Sequence, residues 1–182
     1  MIVIADASPL HYLILLERSE VLQHFYGRVI IPEAVVRELQ AQKTPAVVRQ
    51  WITSPPEWLQ IRQIAVPPDP ALAELDLGER EAIALAETLR ADALIIDEKM
   101  GRREAERRKL RVIGTVRVLD DAAEAGLLDL PAVHLCGCRH VGSTSTQSSC
   151  NFYLIEIPPG RNAKPKARVS LFSIVMAWVL TH

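Results

Sequence analysis

The chain opens Met1-Ile2-Val3-Ile4-Ala5-Asp6-Ala7-Ser8-Pro9-Leu10, an apolar run that stops on an aspartate and gives way to a serine and a proline. A run of this length reads as a buried strand, and Asp-Ala-Ser-Pro reads as the strand's end feeding a helix start. Asp6 is thereby placed at the C-terminal edge of a strand, which is where open α/β sheets bind their ligands.

The same punctuation recurs along the chain. The stretch from Leu10 through Phe25 predicts one or two buried helical segments that Gly27 ends. Val29-Ile30-Ile31 is a short strand, and Pro32 opens a helix at the position where its missing N–H costs nothing. That helix carries Val35, Val36 and Leu39 on one face and also holds Glu38. Residues 45–61 predict a helix, a break at Ser54-Pro55-Pro56 and an extended piece at Trp58–Ile61. After a loop at Pro67–Pro70, a helix begins within Leu75–Glu81 and runs to about Arg90. Ala93-Leu94-Ile95-Ile96 is a second strong strand that halts on Asp97 and Glu98. A basic helix over Gly101–Lys109, a strand at Arg111–Ile113 and a helix from Thr115 to about Ala125 complete the series. Strands alternating with helices predict an α/β fold with a parallel sheet covered on both faces.

A length of 182 residues suits one domain with a sizeable core. With 49% apolar residues and a formal charge of -1, the composition is globular and gives no overall sign of a polyanion binder. Residues 1–135 hold 21 of the 22 acids and 16 of the 21 basic residues, so they carry about -5 and the remainder about +4. Met1 runs directly into the strand without the basic region of a signal peptide, so a cytoplasmic location is expected. The late apolar stretch Val169–Leu180 falls short of the roughly 20 residues of a membrane span, and no membrane association is expected.

Several carboxylates fall where such a fold gathers them. Asp6 ends the first strand, Asp97 and Glu98 end a later one, Glu79 and Glu81 open the helix between, and Glu38 is on the Pro32 helix. Acids clustered at one sheet edge repel each other unless cations are bound, and hard cations such as Mg²⁺ or Mn²⁺ take oxygen ligands. Each acid also has a plainer role. Asp6 and Asp97 suit helix caps, Glu79 and Glu81 are favoured in any first helical turn, and Glu38 suits a solvated face. At roughly 100° per residue, Glu79 and Glu81 lie at opposite edges of the stripe Ala82, Leu85, Ala86 and Leu89, so spacing does not choose between them. Six cations, Arg102, Arg103, Arg107, Arg108, Lys109 and Arg111, follow Asp97 closely. They suit either a nucleic-acid backbone or a solvated face with internal Arg–Glu pairs. His11 and His24 fall among apolar neighbours and read as packed or boundary residues.

Together these pieces resemble the PIN-domain family of metal-dependent nucleases. The resemblance runs through Val3–Leu10, Val29–Pro32 with Val35–Leu39, Leu77–Ala86, Leu94–Lys99 with Arg102, and Val112–Thr115, and covers about residues 1–130. It implies a three-layer α/β/α fold with a central, mostly parallel sheet over residues 1–135. It matches Asp6 to the family's first acid, Glu38 to the second, Glu81 to the third and Asp97 or Glu98 to the fourth, with Glu79 a second choice beside Glu81. Ser8 matches a small polar position and is read here as a helix cap. The implied activity is phosphodiester hydrolysis with one or two Mg²⁺ or Mn²⁺ ions and no side-chain nucleophile. It further implies an RNA substrate, Arg102 and Arg103 as nucleic-acid contacts, a toxin role with an antitoxin partner, and a homodimer. The alternative is a PIN-like module that binds nucleic acid or regulates without cleaving.

Residues 136–182 depart from that pattern. They hold all three cysteines, Cys136, Cys138 and Cys150, with His140 nearby and a Ser/Thr cluster absent from the rest. The cysteines lack the paired spacing of a zinc site and read as free thiols. The segment reads as an atypical tail arising from a shifted reading frame or a chance extension.

Overall fold

The apolar runs marked as strands pair into one sheet whose three central strands are buried on both faces, while the two edge strands are partly exposed. The chain is seen in a computed structural model that describes residues 1–64 and 69–128. Val3–Ala5 (β1), Val29–Pro32 (β2), Leu59–Arg62 (β3), Ala93–Ile95 (β4) and Val112–Ile113 (β5) lie in the order β3-β2-β1-β4-β5. Every pairing is parallel, with Ile4 opposite Ile30 on one side and Leu94 on the other. Seven α-helices alternate with them among the described residues. They are Ala7–Leu15 (α1), Glu20–Tyr26 (α2), Glu33–Leu39 (α3), Ala46–Thr53 (α4), Leu77–Thr88 (α5), Lys99–Arg107 (α6) and Thr115–Glu124 (α7).

The α/β architecture with a parallel sheet agrees with the sequence reading. Element edges differ by a residue or two, as frayed ends do. The N-terminal apolar stretch forms two helices, parted where Glu17 takes a left-handed φ of 54°. α6 starts at Lys99 rather than Gly101. β4 ends at Ile95, although the Ile96 amide still donates to the Ile113 carbonyl at 3.0 Å.

The chain lays down β1, β2 and β3 in one direction, then returns to place β4 on the other side of β1. Strand order therefore reverses between β1 and β4, and the crevice outside their C-terminal ends is where such sheets take ligands. Beneath it, Ile4, Ile30, Leu94 and Ile96 pack against Ala82, Ile83, Leu85 and Ala86 of α5. Each large side chain buried this way contributes about 1.5–3 kcal/mol, which makes the crevice floor rigid.

Met1–Leu128 forms one compact unit. Among the described residues no helix is long and apolar enough to cross a membrane. Cys136, Cys138, His140, Cys150 and the reading of 136–182 as a tail lie outside the described residues.

Candidate functional site

Asp6 leaves the end of β1 with its amide donating to the Ile95 carbonyl at 2.9 Å, which fixes it beside the end of β4. Its side chain is buried, at 3% residue exposure. It occupies the capping position of α1 yet makes no capping hydrogen bond, and its Oδ1 has no partner. Ser8 is the second residue of α1, so the reading of Ser8 as the cap is not met.

Glu38 and Glu81 exchange helix ends. α3 follows Pro32, whose side chain has no acceptor for the orphan amides of the first turn. Glu81 of α5 supplies it, its Oε2 accepting from the Ala34 amide at 3.1 Å. In return, Oε1 of Glu38 accepts from the Gly78 amide at 2.9 Å, in the first turn of α5. Gly78 lets the carboxylate come this close, because a Cβ would stand 2.7 and 2.8 Å from the two Glu38 oxygens and oblige them to move. The other Glu81 oxygen, Oε1, accepts from the Arg37 guanidinium at 3.2 Å.

Glu79 turns the other way. Its Oε2 accepts from the Asp76 amide at 3.2 Å, as a capping-box glutamate does, and its Oε1 is buried without a hydrogen-bond partner. α6 approaches this carboxylate through Gly101, where a Cβ would strike Glu79 Oε1 and stand 2.5 Å from Ile96 Cδ1. The structure thus sends the two candidates on α5 to different places. Glu79 is buried against Gly101 of α6, whereas Glu81 is engaged on α3.

At the end of β4, Asp97 caps α7. Its Oδ1 accepts from the Thr115 amide at 2.8 Å and its Oδ2 from the Thr115 hydroxyl at 2.6 Å, replacing the side chain that the capping residue Gly114 lacks. Glu98 occupies the capping position of α6 without a capping hydrogen bond. Arg102 Nη1 donates to the Ile96 carbonyl at 3.1 Å, and a Cβ on Gly114 would stand 2.8 Å from that nitrogen. Arg103 is exposed. Gly78, Gly101 and Thr115 were not singled out from sequence, although Gly78 and Thr115 stand inside the quoted motifs.

Burial is the main reason the Asp6 carboxyl is pushed up to about 7; the Ala7 and Ser8 amides oppose this, while the charges of Glu38 and Glu79 reinforce it. Glu79 is likewise pushed up to about 7, first by burial and then by the charges of Asp76, Glu98 and Glu38. Glu38 is raised by burial too, with the charges of Asp76 and Glu81 reinforcing this and the Gly78 amide and the positive charge of Lys43 opposing it. The charges of Glu38 and Glu79 thus act on Asp6, and that of Glu38 on Glu79 as well, with Glu81 joining through Glu38 and Glu98 through Glu79.

Among the described residues no three His, Cys, Asp or Glu side chains converge as a ready metal cage. The donors nevertheless fit a hard divalent cation. They are all oxygens, and Asp6 Oδ1 and Glu79 Oε1 lack any donor. Mg²⁺ is commonly held through one or two carboxylates and keeps several waters.

A family model described as a PIN domain matches residues 2–135. No curated protein matches the chain. Among solved structures, a PilT N-terminus domain protein from the hyperthermophilic archaeon Sulfolobus solfataricus P2 is similar at 18% identity, over 68% of this chain and 95% of that one, with a TM-score of 0.49. The chain belongs to the PIN-domain family, whose members are generally nucleases.

Proposed function

We propose that this PIN-domain chain is a metal-dependent endoribonuclease. The observation that carries the reading is the pair of buried, partnerless oxygens, Asp6 Oδ1 at the point where strand order reverses and Glu79 Oε1 in the first turn of α5, whose charge acts on Asp6. An acid oxygen buried without a donor is costly, and a hydrated divalent cation removes that cost. Asp6 and Glu79 would hold Mg²⁺ or Mn²⁺, with Glu38 and Glu98 beside them. The ion, when bound, supplies charge stabilisation and a water of lowered pKa for phosphodiester hydrolysis.

The chain's own groups define the rest. Glu38, anchored through Oε1 on the Gly78 amide, keeps Oε2 to orient a water. Asp97, with both oxygens on Thr115, acts as a strut between β4 and α7. Glu81 holds α3 in register with α5.

Cleavage of mixed RNA substrates in Mn²⁺ or Mg²⁺ tests the reading, comparing the unsubstituted chain with Asp6→Asn. Loss of cleavage in Asp6→Asn is expected, and equal cleavage removes Asp6 from the reaction. RNA binding without cleavage by either protein would assign a binding module instead. The family resemblance also carries the reading of a toxin with an antitoxin partner. That predicts growth arrest on expression, relieved by co-expressing the product of the adjacent gene.

A further inference from the structure

A phosphate that approaches Asp6 also meets the charges of Glu38 and Glu79, which act on the same carboxyl. Under the nuclease reading above, on which this inference rests, a divalent ion offsets part of that repulsion. The end of β4 offers more. The Ile95 carbonyl there accepts the Asp6 amide at 2.9 Å, and the next carbonyl, that of Ile96, accepts Nη1 of Arg102 at 3.1 Å. Asp6 follows β1, and Gly114, against which the Arg102 guanidinium lies, follows β5, so the acid and the cation flank the end of β4. A Cβ on Gly114 would stand 2.8 Å from Nη1 and 3.4 Å from Asp97 Oδ1, so the guanidinium and the Asp97 carboxylate meet at the same bare backbone position.

The two do not pair. Both Asp97 oxygens are taken by Thr115, and among the described residues Arg102 has no carboxylate partner, its side-chain hydrogen bond being to an uncharged carbonyl. Three other arginines are compensated by acids, Arg107 by Glu104, Arg108 by Asp69, Glu87 and Glu104, and Arg37 by Glu81 and Glu33. Lys99 and Arg103 are exposed, and at roughly 100° per residue they stand on the far side of α6 from Gly101, which meets Glu79. Arg102 is half-buried. A guanidinium has five donors, so most of those on Arg102 remain for a ligand, and its planar fork matches a phosphate. The same charge works against a second dication beside Asp97, since like charges repel. Among the described residues no three His, Cys, Asp or Glu side chains converge to outweigh it.

We propose that the site works with one divalent ion, held by Asp6 and Glu79, and that Arg102 takes the place of a second by gripping a non-bridging oxygen of the scissile phosphate. Gly114 leaves the guanidinium room beside Asp97, and Thr115 occupies the carboxylate that would otherwise neutralise it.

The test counts ions and separates metal from phosphate. Titration of the unsubstituted chain with Mn²⁺, read by electron paramagnetic resonance of the free ion, is expected to give one bound ion per chain. Arg102→Gln is expected to bind Mn²⁺ as the unsubstituted chain does and to cleave RNA about a hundredfold more slowly at saturating Mn²⁺. Combined with Asp6→Asn, it is expected to flatten the salt slope of single-stranded RNA binding, read by fluorescence anisotropy, by about 0.7, the share of one phosphate contact. Arg102→Lys is expected to recover part of the rate, and Arg107→Gln to change neither rate nor slope. Two bound ions per chain, cleavage by Arg102→Gln at the unsubstituted rate, or loss of Mn²⁺ binding in both Arg102 variants overturns the inference and leaves the nuclease reading standing. An unsubstituted chain that binds no Mn²⁺ and cleaves no RNA removes the nuclease reading, and the inference with it.

Discussion

Glu38 and Gly78 meet across the contact of α3 with α5, with Oε1 of the glutamate accepting the glycine amide at 2.9 Å and no room left for a Cβ. The glycine is thus part of the acid's binding pocket. Its missing side chain lets a helix N-terminus, with its partial positive charge, face the carboxylate directly.

Gly78→Ala is expected to displace Glu38 and to cost about 1–3 kcal/mol, as overpacking a close contact does. Urea unfolding measures the stability, and RNA cleavage in Mn²⁺ is expected to fall with it. Unchanged stability and unchanged cleavage would show that the glutamate moves aside freely.

Thr115→Val keeps the amide bond to Asp97 and removes the hydroxyl bond at 2.6 Å. Leaving a part-buried carboxylate oxygen short of a donor costs about 1–3 kcal/mol. The midpoint of chemical denaturation should therefore fall for Thr115→Val and hold for Thr115→Ser. Equal midpoints for the two variants contradict the strut role of Asp97.

Asp6 and Glu79 titrate near 7 in the folded chain, against ordinary values of 3.8 and 4.5. Between those values the folded state binds more protons than the unfolded state, so stability falls as pH rises. The contribution is complete below about pH 4 and is lost once pH passes 7. In a chelator, melting temperatures are expected to decline from pH 5 to pH 8 in the unsubstituted chain and to decline less in Asp6→Asn. A melting temperature that rises through this window in the unsubstituted chain, and rises equally in Asp6→Asn, refutes the assignment.

Saturating Mn²⁺ or Mg²⁺ is expected to raise the melting temperature at pH 8, by about 2.7 kcal/mol of stability at a hundred times Kd. EDTA should reverse it. Glu79→Gln and Asp6→Asn are expected to abolish the shift, whereas Glu81→Gln retains it because the Glu81 oxygens are on Ala34 and Arg37. The opposite pattern for the two glutamates would place the ion on Glu81.

The alternation of strands and helices was readable because strand and helix periods are local properties, and the parallel sheet follows from the alternation. The edge position of Asp6 was equally readable, from one apolar run and its stop. The roles of Glu79 and Glu81 were not, since they stand two residues apart on one helix and straddle its apolar stripe. Their difference is set by what lies opposite, Gly101 for one and Ala34 with Arg37 for the other. The basic helix misleads in the same way, because the partners of Arg108 include Asp69 and Glu87, far from it in sequence.

Local pattern alone therefore established the α/β class, the family resemblance and a set of acids at one edge of a sheet. It took the folded arrangement to sort those acids into a pair with buried free oxygens, a reciprocal clamp and a helix cap. The physical reason is that a carboxylate's function depends on which donors face it. Here the deciding donors, the Gly78 amide for Glu38 and the Ala34 amide for Glu81, are 40 and 47 residues away along the chain.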